Sequence, residues 1–247
     1  MAIVAGGTGG IGRAICKKLA AEGYDLSFSY RSKSNDAKIL VEEIESLSVR
    51  ATCQSVNHAD PAEMKEFVDA SAEALGAIVA VVYAAGPHLP HKFISGVSPE
   101  EWKMIFDADV NGAFNLVWAT LPHLRANKGG ALVAVITSAV ERVPSRDICS
   151  AAPKAAIEML FRGVALEEGR FGIRANCVGP GFIDAGMGHD LIAKPDLEGF
   201  IENLRKSLPL KRFGQADEIA DAVAFLLSDN AGYITGQSLA VDGGLQL

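Results

Sequence analysis

Ala2-Ile3-Val4-Ala5-Gly6-Gly7-Thr8-Gly9-Gly10-Ile11-Gly12-Arg13-Ala14-Ile15 is the stretch that decides the fold. A short apolar run ends in glycines, and a helical pattern follows at once, with Ile11, Ile15, Leu19 and Ala20 on one face. The order is strand, tight turn, helix. Glycines let the backbone approach a phosphate closely, and the first turn of the helix offers unpaired N–H groups and a positive dipole end. Gly6, Thr8, Gly10, Ile11 and Gly12 are therefore candidates to hold a pyrophosphate. The spacing is Gly6-x-x-x-Gly10-x-Gly12, not the G-x-G-x-x-G of the commonest dinucleotide fingerprint. An ordinary tight turn is the competing reading.

The rest of the chain supplies the context this turn needs. Apolar stretches alternate with amphipathic ones, which predicts βαβ units and a parallel, doubly wound sheet. Strands are expected over 25–30, 49–56, 78–84, 131–137 and 172–178, with a last strand within 233–244. A helix is expected over 35–47, another starts at Pro61 with Asp60 as its cap, and a further helix or helix pair runs from Ser98 to about Ala126. Ser98 and Glu101 have capping-box spacing. No repeat, linker or shift in composition divides the chain, so residues 1–247 read as one domain.

Bulk properties exclude some functions. The 247 residues are 49% hydrophobic and 21% charged, enough for one sizeable core. A formal charge of −7 argues against a general nucleic-acid or anionic-membrane surface. No apolar run is long enough to span a bilayer, and the first residues lack a signal peptide's charged region. Cys16, Cys53, Cys149 and Cys177 are scattered, form no C-x-x-C pair and suggest no metal site. They read as reduced thiols, and a cytoplasmic location is expected.

Several blocks together resemble the short-chain dehydrogenase/reductase family, and the resemblance covers essentially the whole length. They are the glycine turn, the D-V-x-D-P-like Asn57-His58-Ala59-Asp60-Pro61, and Ala85-Gly86 at the end of an apolar strand. Asp109-Val110-Asn111-Gly112, Ser138, Lys154 and Gly179-Pro180-Gly181-Phe182-Ile183 complete the series. The C-terminal blocks, 208–215 and 233–244, are similar to the acyl-carrier-protein ketoreductase branch, where they build tetramer contacts.

The resemblance implies a nicotinamide cofactor. An acidic residue after the second strand would mark NAD. Here Tyr30-Arg31-Ser32-Lys33-Ser34 carries none, and Arg31, helped by Ser32 or Lys33, is suited to the 2′-phosphate of NADP(H). A solvated basic loop is the alternative, and NAD(H) is less favoured. Asn57 would meet the adenine, with His58 beside it. Ala85 and Gly86 would let the cofactor approach the backbone, and Pro180, Gly181 and Ile183 would lie beside the nicotinamide carboxamide. The usual N-N-A-G is Tyr83-Ala84-Ala85-Gly86 here, and Ala185 stands where a threonine contact is usual.

The reactive centre departs from the family. The pattern is a serine, then Tyr-x-x-x-Lys, in which lysine acidifies the phenol and holds the ribose while the phenol protonates the carbonyl as hydride arrives. This chain has Ser138 and Lys154 but Ser150 in the tyrosine's place, and its tyrosines lie only at 24, 30, 83 and 233. A serine hydroxyl is shorter and a far weaker acid than a phenol, whose pKa is about 10. Ser150 has a structural reading, as a helix cap with Pro153 in the first turn, and functional ones, as a water-relayed donor or a stand-in that leaves the chemistry to Lys154. Asn111 is expected to bend its helix and hold a water near the lysine; a plain kink is the alternative.

Further expectations concern the surroundings. His88 and His91 lie in a proline-braced loop on the ligand side of the sheet. Residues of about 184–207 form a substrate flap with a hinge-like Gly186-Met187-Gly188. Leu191, Ile192, Leu197, Phe200, Ile201 and Leu204 give it an apolar face, suited to an acyl substrate or to packing on the body. The apolar bulk between Trp102 and Leu121 points to a partner subunit, hence a homodimer or homotetramer. The expected activity is ketone/alcohol interconversion on a small molecule or acyl thioester. A cofactor-binding, non-reducing homologue is the alternative.

Overall fold

In the computed structural model, residues 1–87, 89–193 and 198–247 are described. His88 and residues 194–197, Leu197 of the expected flap among them, lie outside the described residues, as does the side chain of Leu191. The seven strands are β1 (Ala2–Ala5), β2 (Leu26–Tyr30), β3 (Ala51–Ser55), β4 (Ala80–Tyr83), β5 (Gly130–Val135), β6 (Ile173–Pro180) and β7 (Ser238–Val241). They form one sheet in the order β3-β2-β1-β4-β5-β6-β7, parallel at every pairing. Strands β1 and β4 are buried on both faces, which explains why they read as continuous apolar runs rather than alternating ones.

Two cores flank the sheet. On one side, α1 (Gly10–Ala21), α2 (Ser34–Glu45) and α9 (Ala216–Leu227) cover Val4, Phe28, Val82 and Val133. On the other, α3 (Pro61–Leu75), α5 (Gly112–Ala126) and α6 (Ile148–Glu168) cover Ile3, Val81, Tyr83 and Leu132. The alternation of side chains along β1 and β4 thus assigns each residue to one core. The strand order reverses between β1 and β4, and a crevice opens there, beyond the carboxyl ends of the strands.

Local signals explain the helix starts. The Asp60 carboxylate accepts from the N–H groups of Ala62 and Glu63, with Pro61 opening α3. Ser98 and Glu101 form the expected capping box of α4 (Pro99–Phe106). Of the helix or helix pair expected over 98–126, the structure has the pair: a π-helical segment, Asp107–Asn111, joins α4 to α5. The flap region holds α7 (Met187–Ile192) and α8 (Glu198–Ser207). Ile201 is buried, while Phe200 is exposed.

Two expectations about α6 are corrected. The helix starts at Ile148 with Asp147 as its N-cap, so Ser150 is its third residue and not its cap. Pro153 is consequently the sixth residue, inside the helix rather than in its first turn. A proline there donates no N–H, which leaves the Cys149 carbonyl without its helical donor.

Candidate active site

The glycine turn is shaped by close approach. Gly6 sits at φ +89°, a left-handed conformation that side chains resist. A Cβ on Gly12 would lie 2.1 Å from the Gly6 carbonyl oxygen, so α1 can enter the turn only on a glycine. The N–H groups of Gly6 and Gly7 donate to the Ser29 carbonyl, which binds the turn to β2. Gly10 meets the backbone of Gly186, so the start of the flap segment lies against the start of α1.

A cavity of about 230 Å³ opens beside this turn. Of the expected cofactor residues, Gly6, Thr8, Arg31, Ser32, Asn57, His58, Ala85 and Gly86 line it, with Lys33 added. Gly10, Ile11 and Gly12 form the adjoining first turn of α1. Pro180, Gly181 and Ile183 stand apart from this wall, at the end of β6, where Gly181 donates to the Val241 carbonyl and Ile183 pairs with Gly214. At the cavity wall the Asn57 side-chain oxygen accepts from the Ala59 N–H at 3.3 Å. His58 is neutral at ordinary pH: burial, reinforced by Arg31, pushes its pKa down to about 4.

Lys154 rises from α6 behind Ala85 and Gly86, two residues of the cavity wall. It is buried, and its ammonium donates to the Ala85 carbonyl at 3.1 Å and to Asp109 Oδ1 at 2.9 Å. A Cβ on Gly86 would stand 3.7 Å from the Lys154 nitrogen, so the cation lies directly beside this residue of the cavity wall. An ammonium has three N–H donors, and two are engaged. Asp109 is fixed from behind by Tyr83, whose hydroxyl donates to the Asp109 carbonyl at 2.8 Å and lies 3.2 Å from its Oδ1. Burial, and then the neighbouring Asp109, hold the Tyr83 phenol well above its ordinary pKa. Tyr83 is thus a structural hydrogen-bond donor in the place of the asparagine absent from β4.

Asn111 does not occupy the position expected of it. It is exposed, and its amide donates to Asp107 Oδ1 at 3.1 Å, away from Lys154. The π-helical segment turns Asp109 inward instead. The spacing carried this signal: in N-x-x-G the first residue stands three before the glycine, and three before Gly112 is Asp109. A carboxylate therefore sits where the motif has an amide.

Ser138 is buried at the carboxyl end of β5, in a short 3₁₀ turn packed against α6. Its carbonyl accepts from the side-chain amide of Gln246, so the C-terminal tail reaches this turn. Ser150 lies one helical turn before Lys154, with its N–H donating to the Asp147 carbonyl. His91 is exposed, 3.9 Å from the carboxylate of Asp147, whose pKa burial raises. Among the described residues no cluster of His, Cys, Asp and Glu could hold a metal ion, and all four cysteines are free.

The fold and the motif order define a nicotinamide-dependent oxidoreductase of the Rossmann type, and comparison with known proteins gives its family. Residues 5–246 match the family profile described as enoyl-(acyl carrier protein) reductase. The 3-oxoacyl-[acyl-carrier-protein] reductase FabG of Staphylococcus epidermidis is 33% identical over 247 residues, covering 100% of this chain and 98% of the relative. A short-chain dehydrogenase/reductase from Serratia marcescens superposes with a TM-score of 0.91 at 29% identity, over 100% of this chain and 97% of that one. A metagenomic blue fluorescent protein in complex with NADPH superposes with a TM-score of 0.89 at 33% identity, with the same coverage. The chain belongs to the short-chain dehydrogenase/reductase family. No helix among the described residues is long and apolar enough to cross a membrane.

Proposed function

We propose that the chain, working as one dinucleotide-binding unit over residues 1–247, is an NADP(H)-dependent reductase or dehydrogenase that interconverts a ketone and an alcohol. The substrate class we favour is a 3-oxoacyl thioester, on the strength of the similarity to acyl-carrier-protein reductases. The observation that carries the reading is the buried Lys154 ammonium under Gly86, with one N–H left for a ribose hydroxyl.

In this reading the glycine turn and the start of α1 hold the pyrophosphate, and Arg31 with Ser32 takes the 2′-phosphate. Asn57 and His58 border the adenosine, and Pro180, Gly181 and Ile183 border the nicotinamide. The bound cofactor supplies the hydride. Ser138 polarises the substrate carbonyl, and Lys154 orients the ribose and delivers a proton through Ser150 or water. Residues of about 184–207 close over the substrate. Exposed Phe114 and Trp118 on α5, with Met159 and Leu166 on α6, offer faces for a homodimer or homotetramer. A cytoplasmic site of action accords with the free cysteines.

The test is equilibrium titration with NADPH and NADH, followed by NADPH oxidation with a panel of 3-oxoacyl thioesters. Binding of NADPH with turnover of at least one thioester is expected; neither binding nor turnover would end the reading. A second reading, a non-reducing homologue that binds cofactor or catalyses another step such as dehydration, is favoured by two observations. Lys154 is paired with Asp109, and no phenol is available at position 150.

A further inference from the structure

We propose that the His58 side chain is a cofactor-positioning residue, which braces the glycine turn through Ser29 and offers its Nδ1–H to an acceptor on the adenosine half of the dinucleotide. The inference rests on the NADP(H) reading above.

The hydrogen-bond inventory fixes the imidazole tautomer. His58 Nε2 lies 2.7 Å from the Ser29 hydroxyl, which itself accepts from the Gly6 N–H at 3.3 Å. Ser29 is fully buried, and its hydroxyl has one hydrogen to place. If Nε2 carried the ring proton, that hydrogen would be left buried without an acceptor among the described residues, a cost that folded proteins avoid. Ser29 therefore donates to Nε2, and the proton of the neutral ring is on Nδ1. The chain runs in one direction: Gly6 N–H to Ser29 oxygen, Ser29 O–H to His58 nitrogen.

Nδ1–H is then a donor with no partner among the described residues, on a side chain that lines the cavity. The backbone and Cβ that carry the ring are held as well. Asn115 donates to the His58 carbonyl at 2.9 Å, and Gly112 leaves space for the His58 Cβ, which a Cβ there would meet at 3.0 Å. The Tyr83 ring stands 6.3 Å from the imidazole between centroids. A rigid, neutral donor aimed into the groove recognises a ring nitrogen or ribose oxygen without the desolvation that a cation there would require. The same ring, through the Ser29 hydroxyl, orients a second acceptor for the Gly6 N–H, which also donates to the Ser29 carbonyl at 3.2 Å.

The experiment measures dissociation constants for NADPH and for 2′,5′-ADP, the adenosine half alone, with wild type, His58→Val, His58→Gln, Ser29→Ala and the Ser29→Ala/His58→Val double variant. Melting temperatures are recorded alongside. His58→Val and Ser29→Ala are each expected to weaken both ligands about 5- to 20-fold, the loss of one hydrogen bond to an uncharged donor. The double variant is expected to be no weaker than the weaker single, because both changes cut one chain. His58→Gln, which keeps a donor and an acceptor, is expected to recover most of the affinity. Unchanged affinity in His58→Val, or losses that multiply in the double variant, would overturn the proposal while leaving the NADP(H) reading intact. Failure of wild type to bind either ligand would overturn both.

Discussion

Lys154 and Asp109 form a buried ion pair at 2.9 Å, with the lysine side chain 11% and the aspartate side chain 2% exposed. The pair joins α6 to the π-helical segment, and Tyr83 ties it to β4. Removing one partner leaves the other as an uncompensated charge, which in such sites costs about 3–5 kcal/mol. Asp109→Ala and Lys154→Met are each expected to destabilise the fold by that amount in urea denaturation. The double variant Lys154→Met/Asp109→Leu is expected to be more stable than either single. Additive losses would mean that the two side chains stabilise the fold independently.

Acid should act through His58. Its pKa is about 4 in the folded chain against an ordinary 6.5, because burial and Arg31 disfavour the charged ring. Between these values the unfolded chain binds the proton that the folded one refuses. Stability is therefore full above about pH 6.5 and falls as pH drops towards 4, by at most about 3 kcal/mol. Part of the ring borders the cavity, so the observed loss should be smaller than this ceiling. Denaturation midpoints measured from pH 7 to 4.5 should fall more steeply for wild type than for His58→Val. Equal slopes would assign the acid sensitivity to other groups.

Cofactor choice should depend on Arg31. The guanidinium lies at the exposed end of the cavity with Ser32 and Lys33, and no carboxylate stands among them. Losing charge-assisted hydrogen bonds to a phosphate is expected to raise the NADPH dissociation constant about 10- to 100-fold in Arg31→Ala. The NADH constant should change by no more than about twofold, since that ligand lacks the 2′-phosphate. An equal loss for both cofactors would place Arg31 outside phosphate recognition.

The proton donor can be probed by supplying one. A positioned acid contributes about 10²–10⁴ in rate. Ser150→Tyr is expected to raise NADPH-dependent turnover of an oxoacyl thioester by about the lower end of that range, since Asp109 already neutralises Lys154. Turnover in both proteins, greater in the variant, fits a weakened reductase. Turnover in the variant alone fits the non-reducing homologue.

The parallel sheet and the turn that opens α1 were legible because they rest on local signals. A parallel strand buried on both faces is a continuous apolar run, as in Ala80–Tyr83, and a glycine turn before a helix has a single geometric purpose. The helix caps at Asp60 and Ser98 read correctly for the same reason. What escaped were features set by tertiary contact. The start of α6 lies two residues before Ser150, because Asp147 takes the cap position without using its side chain. The inward turn of Asp109 depends on a π-helical segment and on a tyrosine from another element, neither of which helical periodicity encodes. The Ser29–His58 link joins residues 29 apart and has no local signature.

The proposed reduction requires a dinucleotide lying across the carboxyl ends of β1 and β4 with its sugar in the grip of Lys154. A crystal structure grown with saturating NADP(H) tests this most directly. The expected result is a ribose hydroxyl within about 3 Å of the Lys154 nitrogen, with the 2′-phosphate against Arg31. A cavity left empty at saturation, or a nucleotide bound with its ribose away from Lys154, would contradict it.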